Sequence, residues 1–463
     1  MQFVSLKFIL FLLGVILGYY VMPGRGKKIM LLFANVVFYY TFGIQNLCIL
    51  ALMVFVSFSG ARLLQKKKEK RYLIFFLVIS LLPLVLLKYC DFEGFVEPIG
   101  ISFFTFKVIS YLIDTYQDKL KTKHGLWDYS IYVSFFPAIT SGPIDRAEPF
   151  IRQIQQPKRL EERRLLEGLL YVLWGYFQKM IVSDRLAIIV NTVFDSYQTY
   201  AGFPLLVTSV FYTLQIYLDF AGYTFIALGI AKALGYECQQ NFRQPYFSMS
   251  IREFWQRWHM SLSGWLRDYI YIPLGGNRKG TTRKYVNLLL TFLVSGIWHG
   301  AGWNFVVWGL LHGSYQVVGA LTEKYRMYVK EKQHIANTVL DKGIRMFVTF
   351  VLVNFAWILF RGTGGLSGCV DIIRNIFVPS GISFYWLWDT GVVKLEFCIM
   401  LAALLCIVVV DILRYHKVKL LQLFFKSPVI LQFACIYVLF FAVVLFGVYG
   451  PGYDSSAFIY FQF

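Results

Sequence analysis

Residues 285–320 read YVNLLLTFLVSGIWHGAGWNFVVWGLLHGSYQVVGA. Two apolar runs stand back to back here, each approaching the roughly 17–25 residues that cross a hydrocarbon core. Between them lie His299 and the small residues Gly296, Gly300 and Gly302. A bilayer penalises an ionisable group by several kcal/mol unless the group has a task. The stretch therefore predicts membrane-spanning helices and makes His299 the first candidate for chemistry.

The apolar pattern recurs outward from there along the whole chain. Of 463 residues, 57% are hydrophobic, 19% aromatic and only 15% charged, and the mean hydropathy is +0.57. A soluble chain of this length needs far more polar surface. Spans are expected near 3–22, 29–44, 46–62, 72–88, 99–115, 165–182, 204–233, 284–298, 301–320, 343–360, 394–412 and 428–448. Helices satisfy their own backbone hydrogen bonds in lipid, so the expected fold is all-α, a polytopic integral membrane protein of about 11–12 transmembrane helices. The first run lacks a small-residue cleavage site before Pro23-Gly24-Arg25, and another span follows at once. It reads as a transmembrane helix rather than a signal peptide.

The net charge of +19 sits between spans. Basic clusters occupy Arg25-Lys27-Lys28, QKKKEKR at 65–71, KRLEERR at 158–164, NRKGTTRK at 277–284 and the 323–345 segment, whereas DFEGFVEPIG at 91–100 is acidic. This alternation is the positive-inside pattern: basic loops in the cytosol, N-terminus outside. It argues for a lipid bilayer as the partner and against nucleic acid. The seven cysteines (48, 90, 238, 369, 398, 406, 435) are scattered and read as core residues. Without a CxxC or Cys/His cluster, neither a metal site nor a disulfide frame is expected.

The segment NFRQPYFSMSIREFWQRWHMSLSGWLRDYIYIPLGGNRKG, 241–280, carries too many charges to span and too many aromatics to be a solvated loop. Phe254, Trp258, Ser261 and Trp265 can share one helix face. An amphipathic or re-entrant helix lining a cavity and a plain interfacial helix both accommodate this pattern. Arg267 and Asp268 read as a buried pair.

Six histidines occur. His124, His334 and His416 fall in basic connectors and read as solvated, and His312 reads as an interhelical hydrogen-bonding group. His259 and His299 each follow a tryptophan, Trp258 and Trp298, at the edge of an apolar element. Burial without a counter-charge keeps such a ring neutral and able to accept a proton, which suits a general base acting on a hydroxyl. The residues alone leave catalysis and a structural intramembrane histidine both open.

FWQRWHMSLSGWLRDYIYIPLGGNRKG followed by SGIWHGAGWNFVVWG resembles the paired signature of the membrane-bound O-acyltransferase family, and more narrowly its bacterial alginate O-acetyltransferase branch. FPAITSGPIDR at 136–146, LQIYLDFAGY at 214–223, NFRQPYF at 241–247, NFAWILFR at 354–361 and FIYFQF at 458–463 extend the resemblance over nearly the whole chain. Two positions depart from it: Phe225 stands where the branch often has an acidic residue, and Gln256 where arginine is common.

The resemblance implies a single family domain over 1–463. Residues 1–145 would form its N-terminal helices, 146–330 the core carrying both histidine motifs, and 331–463 the C-terminal helices. It implies a ring of helices, with re-entrant or amphipathic ones around a central funnel, in the bacterial cytoplasmic membrane. The activity implied is transfer of an acyl group, acetyl above others, from a cytosolic thioester to a hydroxyl on the far side. Acetyl-CoA or an acyl carrier thioester would be the donor substrate, with no bound cofactor. An exported polysaccharide or an extracytoplasmic SGNH-type transferase would be the acceptor. His299 matches the family's essential histidine, and His259 matches a position that other branches fill with asparagine, which favours hydrogen bonding over proton abstraction there. Trp298, Trp303, Asn304, Trp258 and Arg267 are the substrate-binding candidates. Two other readings remain open: D-alanyl transfer to teichoic acid, and a proton-coupled transporter whose relay would run through the histidines and Asp219.

Overall fold

The computed structural model describes residues 1–90, 98–122, 124–332 and 338–450, and every regular element among them is a helix. The acidic link at 91–97, His334 and the FIYFQF ending lie outside the described residues. Contacts divide the described chain into two compact units, Met1–Tyr176 with Gly222–Gln240, and Phe177–Ala221 with Asn241–Gly450.

The first unit holds α1 (Leu6–Val21), α2 (Arg25–Tyr40), α3 (Ile44–Lys66), α4 (Lys70–Tyr89), α5 (Ile101–Tyr116), α6 (Leu126–Ser134), α7 (Phe136–Ile139), α8 (Ala147–Gln155) and α9 (Glu162–Tyr176). The hydroxyl of Ser5 starts α1 by accepting from the Phe8 N–H, one of the orphan donors of a helix N-terminus. Asn35 of α2 fastens the FPAITSGPIDR segment: its amide donates to Ser134 Oγ at 3.1 Å and its Oδ1 accepts from the Phe136 N–H at 2.9 Å. Buried Lys107 donates to the Tyr132 carbonyl. Residues 222–233 of α11 (Phe203–Ala233) also belong to this unit. Gly168 and Gly175 of α9 face Gly229 and Gly222 there, and a Cβ at Gly168 would stand 2.6 Å from the Gly229 carbonyl oxygen. Lipid offers no hydrophobic drive between helices, so close backbone packing at small residues supplies the attraction.

The second unit begins with widened, π-helical turns over Phe177–Ser183 and continues through α10 (Asp184–Asp195) and the first part of α11. It then holds α12 (Ile251–Arg257), α13 (Met260–Leu266), α14 (Thr281–His299), α15 (Trp303–Lys332), α16 (Val339–Arg361), α17 (Gly365–Ile376), α18 (Lys394–Tyr415), α19 (Leu420–Lys426) and α20 (Val429–Phe446). All twelve expected spans fall on helices. Six of these, α3, α4, α11, α16, α18 and α20, are long and apolar enough to cross a membrane, and α1 is a shorter apolar helix. The most apolar window of α11 is 83% buried and that of α20 only 6%. Protein therefore surrounds α11, while α20 presents its side chains to lipid.

Four expectations are corrected. Most of the cysteines are not core: Cys369 is buried as expected and Cys238 half-buried, but Cys48, Cys90, Cys398, Cys406 and Cys435 are exposed, because an apolar run facing lipid looks the same in sequence as one facing protein. His124 is buried rather than solvated; it hydrogen-bonds Thr122 Oγ1 at 2.7 Å and lies 3.5 Å from Glu148 Oε2. Burial holds its pKa below the usual histidine value despite that carboxylate. Residues 321–332, read as connector, continue α15 to Lys332. Arg267 and Asp268 do pair, at 2.8 Å, but the arginine side chain is 66% exposed, so the pair is not a buried one.

Candidate active site

The hairpin of α14 and α15 positions His299. Gly296 and Gly309 face each other across it, and a Cβ on Gly296 would collide with the Phe305 carbonyl oxygen, one on Gly309 with that of Phe292. Bare backbones thus set the spacing, and the chain reverses over residues 300–302. His299, the last residue of α14, is brought back against α15 and is 3% exposed. Aromatic edges box its ring: centroids of Trp298, Trp308 and Phe360 lie 4.6, 5.0 and 4.9 Å away. The Asn304 amide donates to the Leu359 carbonyl at 3.1 Å, tying the start of α15 to the end of α16.

His259 is placed by its backbone. Ser250 caps α12, its hydroxyl accepting from the Glu253 N–H, while the Glu253 carboxylate accepts from the N–H of Met249, one residue before the cap. The helical face expected over 254–265 is buried, yet the helix carrying it breaks after Arg257, since His259 adopts φ 41° and ψ 55°. That is the left-handed region, where asparagine, aspartate and histidine are the side chains most often tolerated. Asn241 clamps the break. Its carbonyl accepts from the Met260 N–H at 2.9 Å and its Oδ1 from the Ser261 hydroxyl at 2.6 Å. The imidazole of His259 is buried edge-on against Phe220, 4.7 Å between centroids.

Aromatic rings join the two motifs. Trp258 packs on Trp357 at 4.9 Å, Trp357 on Phe360 at 5.3 Å, and Phe360 on His299. Trp357 and Phe360 come from NFAWILFR, which explains why that motif accompanies the histidines. Of the seven candidates, His299, His259, Trp258, Trp298 and Asn304 are buried, whereas Trp303 is 73% exposed and Arg267 stands at the surface.

One group went unread. Lys179 lies 2.7 Å from Asp184 Oδ1 and 2.6 Å from Asp219 Oδ1, all three buried. Asp219, the relay candidate, is thus engaged by a lysine. The signal was present: a lysine inside the apolar run at 165–182 demands a counter-charge. His312 hydrogen-bonds between helices as expected, its Nδ1 accepting from Trp255 Nε1 of α12 at 3.2 Å. Among the described residues no group of three His, Cys, Asp or Glu stands close enough to hold a metal.

A buried, oriented imidazole inside a polytopic helical bundle is a candidate for proton transfer within a membrane-embedded protein. The chain belongs to the membrane-bound O-acyltransferase family, whose profile matches residues 29–356, and is an acyltransferase. It is similar to a probable alginate O-acetylase of Pseudomonas aeruginosa, 34% identical over 78% of this chain and 72% of the relative. A peptidoglycan O-acetyltransferase of Helicobacter pylori is 30% identical, over 79% and 78% of the two chains. A teichoic acid D-alanyltransferase of Bacillus subtilis is 28% identical, over 69% and 85%.

Proposed function

We propose that this acyltransferase moves an acetyl group from a cytosolic thioester, acetyl-CoA or a carrier-bound equivalent, across the bacterial cytoplasmic membrane. The acceptor is a hydroxyl of an exported polysaccharide or of an extracytoplasmic SGNH-type transferase. The observation that carries the chemistry is the aromatic box that fixes the buried His299 ring. A base held in one orientation needs no reorganisation at the moment of proton transfer. The acceptor oxygen attacks the thioester carbonyl as His299 takes its proton. The C–S bond then breaks, and the imidazolium returns the proton to the departing thiolate. His259 supplies a positioning hydrogen bond, in keeping with the asparagine that the resemblance permits there. Trp258 and Trp298 belong to the aromatic packing around the two histidines, while Asn304 serves as the joint between α15 and α16. Trp303 and Arg267, both at the surface, are left to contact substrate as it enters.

Acetyl is preferred over D-alanyl because relatives named as O-acetylases and O-acetyltransferases are 30–36% identical, against 28–29% for those named as D-alanyltransferases. Membranes carrying the protein are supplied with radiolabelled acetyl-CoA and, separately, with D-alanyl carrier protein. Label from acetyl-CoA is expected in the acceptor. Label from the D-alanyl carrier alone would replace this reading with the teichoic acid one.

A further inference from the structure

Acyl transfer at His299 develops a second charge besides the imidazolium. As the acceptor oxygen adds to the thioester carbon, the π electrons of the C=O bond move onto the carbonyl oxygen. That oxygen is an alkoxide until the C–S bond breaks, and in a buried site it needs a hydrogen-bond donor already in place. The base nitrogen stands about 3 Å from the acceptor oxygen, which in turn stands about 3–3.5 Å from the carbon it attacks. The donor must therefore come from the groups that box the His299 ring or adjoin it.

Trp308 combines the two properties this requires. Its ring centroid lies 5.0 Å from that of His299, the planes crossing at 87°, and the residue is 0% exposed. Its indole Nε1 can only donate, and that buried N–H has no hydrogen-bond partner among the described residues. Leaving such a donor unmatched is costly, so its place beside the base calls for a reason. The neighbouring groups serve less well. Phe360 has no donor, the Asn304 amide is engaged by the Leu359 carbonyl at 3.1 Å, and Trp303 is mostly exposed. Trp298, the other indole of the box, is the shallower of the two at 8%. Trp308 is also held fast, with the rings of Trp255, His312 and Phe360 at 5.8, 5.0 and 5.1 Å. A donor fixed in this way does not have to reorganise as charge develops. We propose that the Trp308 indole N–H is a further catalytic group, the hydrogen-bond donor to the alkoxide of the tetrahedral intermediate. Trp308 keeps its own proton throughout: the acceptor's proton passes to His299 and then to the departing thiolate, and the C=O bond re-forms as the C–S bond breaks. The inference rests on the thioester transfer at His299 proposed above.

The test replaces Trp308, in the full-length chain, by benzothienylalanine introduced through amber suppression. This keeps the bicyclic ring and puts sulfur where the N–H stood. Membranes carrying the protein receive radiolabelled acetyl-CoA over a range of concentrations, and label in the acceptor is divided by the amount of protein from immunoblotting. The rate at saturating acetyl-CoA should fall about 10²–10³-fold, the usual effect of removing one such donor. The half-saturating concentration should stay within about twofold, because the uncharged carbonyl of the bound thioester asks little of the donor. Trp308→Phe should lose at least as much. A fall of less than about tenfold with benzothienylalanine would overturn the assignment. So would a loss seen only in Trp308→Phe, since that variant removes ring volume as well and Trp308 would then be a packing wall. A loss carried by the half-saturating concentration would overturn it too, as the indole would then hold donor rather than transition state. The base reading fails separately: should His299→Gln keep the parental rate while benzothienylalanine at 308 does not, the base assignment falls and the Trp308 assignment stands.

Discussion

At the scale of single residues, His299 and His259 carry different kinds of demand. His299→Ala should lower transfer by about 10²–10⁴-fold, the usual worth of general-base assistance, with abundance unchanged. His299→Gln keeps hydrogen bonding but cannot take a proton, and should be nearly as inactive; activity near the parental rate would make His299 a positioning group. At 259 the backbone matters as well as the ring, because φ is 41°. An alanine in the left-handed region costs roughly 1–2 kcal/mol that glycine avoids. His259→Ala should therefore reduce abundance, His259→Gly should restore abundance without activity, and His259→Asn should keep both in part. Radiolabel transfer read beside quantitative immunoblotting separates the two effects, and equal abundance of the alanine and glycine variants would remove the backbone argument. The burial of His299 and His259 was legible because each is an ionisable residue beside a tryptophan at the edge of an apolar element. The left-handed turn was not, since nothing in RWHMS announces that Asn241, some 20 residues earlier, caps a broken helix.

At the scale of helices, the spans were legible because length and hydropathy measure what lipid demands. Which face of a span meets protein was not, as the exposed cysteines show. Nor was the pairing of buried charges, which depends on elements distant in sequence: Asp219 lies 40 residues beyond Lys179 and meets it at 2.6 Å. Removing one partner from a buried ionic group costs about 3–5 kcal/mol because the remaining charge stays uncompensated. Lys179→Met should thus sharply lower the amount of monodisperse protein recovered in detergent. The triple variant Lys179→Met/Asp184→Asn/Asp219→Asn should recover much of it, since neutral groups need no counter-charge. Recovery of protein by the triple variant without transfer would assign the triad a role in the reaction beyond holding α10 and α11. The α14–α15 hairpin makes a parallel case. Gly296→Val would drive a side chain into the Phe305 backbone, and overpacking of this kind costs about 1–3 kcal/mol or more. His299 would be displaced with the hairpin, so activity should fall further than abundance does.

For the molecule as a whole, the distribution of lysine and arginine fixes an orientation that can be read at the two ends of one helix. α4 runs from Lys70 to Tyr89, 20 residues, about 30 Å at ~1.5 Å per residue and so the depth of a hydrocarbon core. Before it stands QKKKEKR, and Cys90, which is exposed, follows it. Positive charge is retained on the cytosolic side during insertion, so residue 67 should face the cytosol and residue 90 the exterior. With the other native cysteines replaced by serine, a membrane-impermeant maleimide applied to intact spheroplasts should label Cys90. A cysteine at position 67, introduced as Lys67→Cys in a Cys90→Ser background, should react only after the membrane is opened. The reverse pattern would invert the molecule.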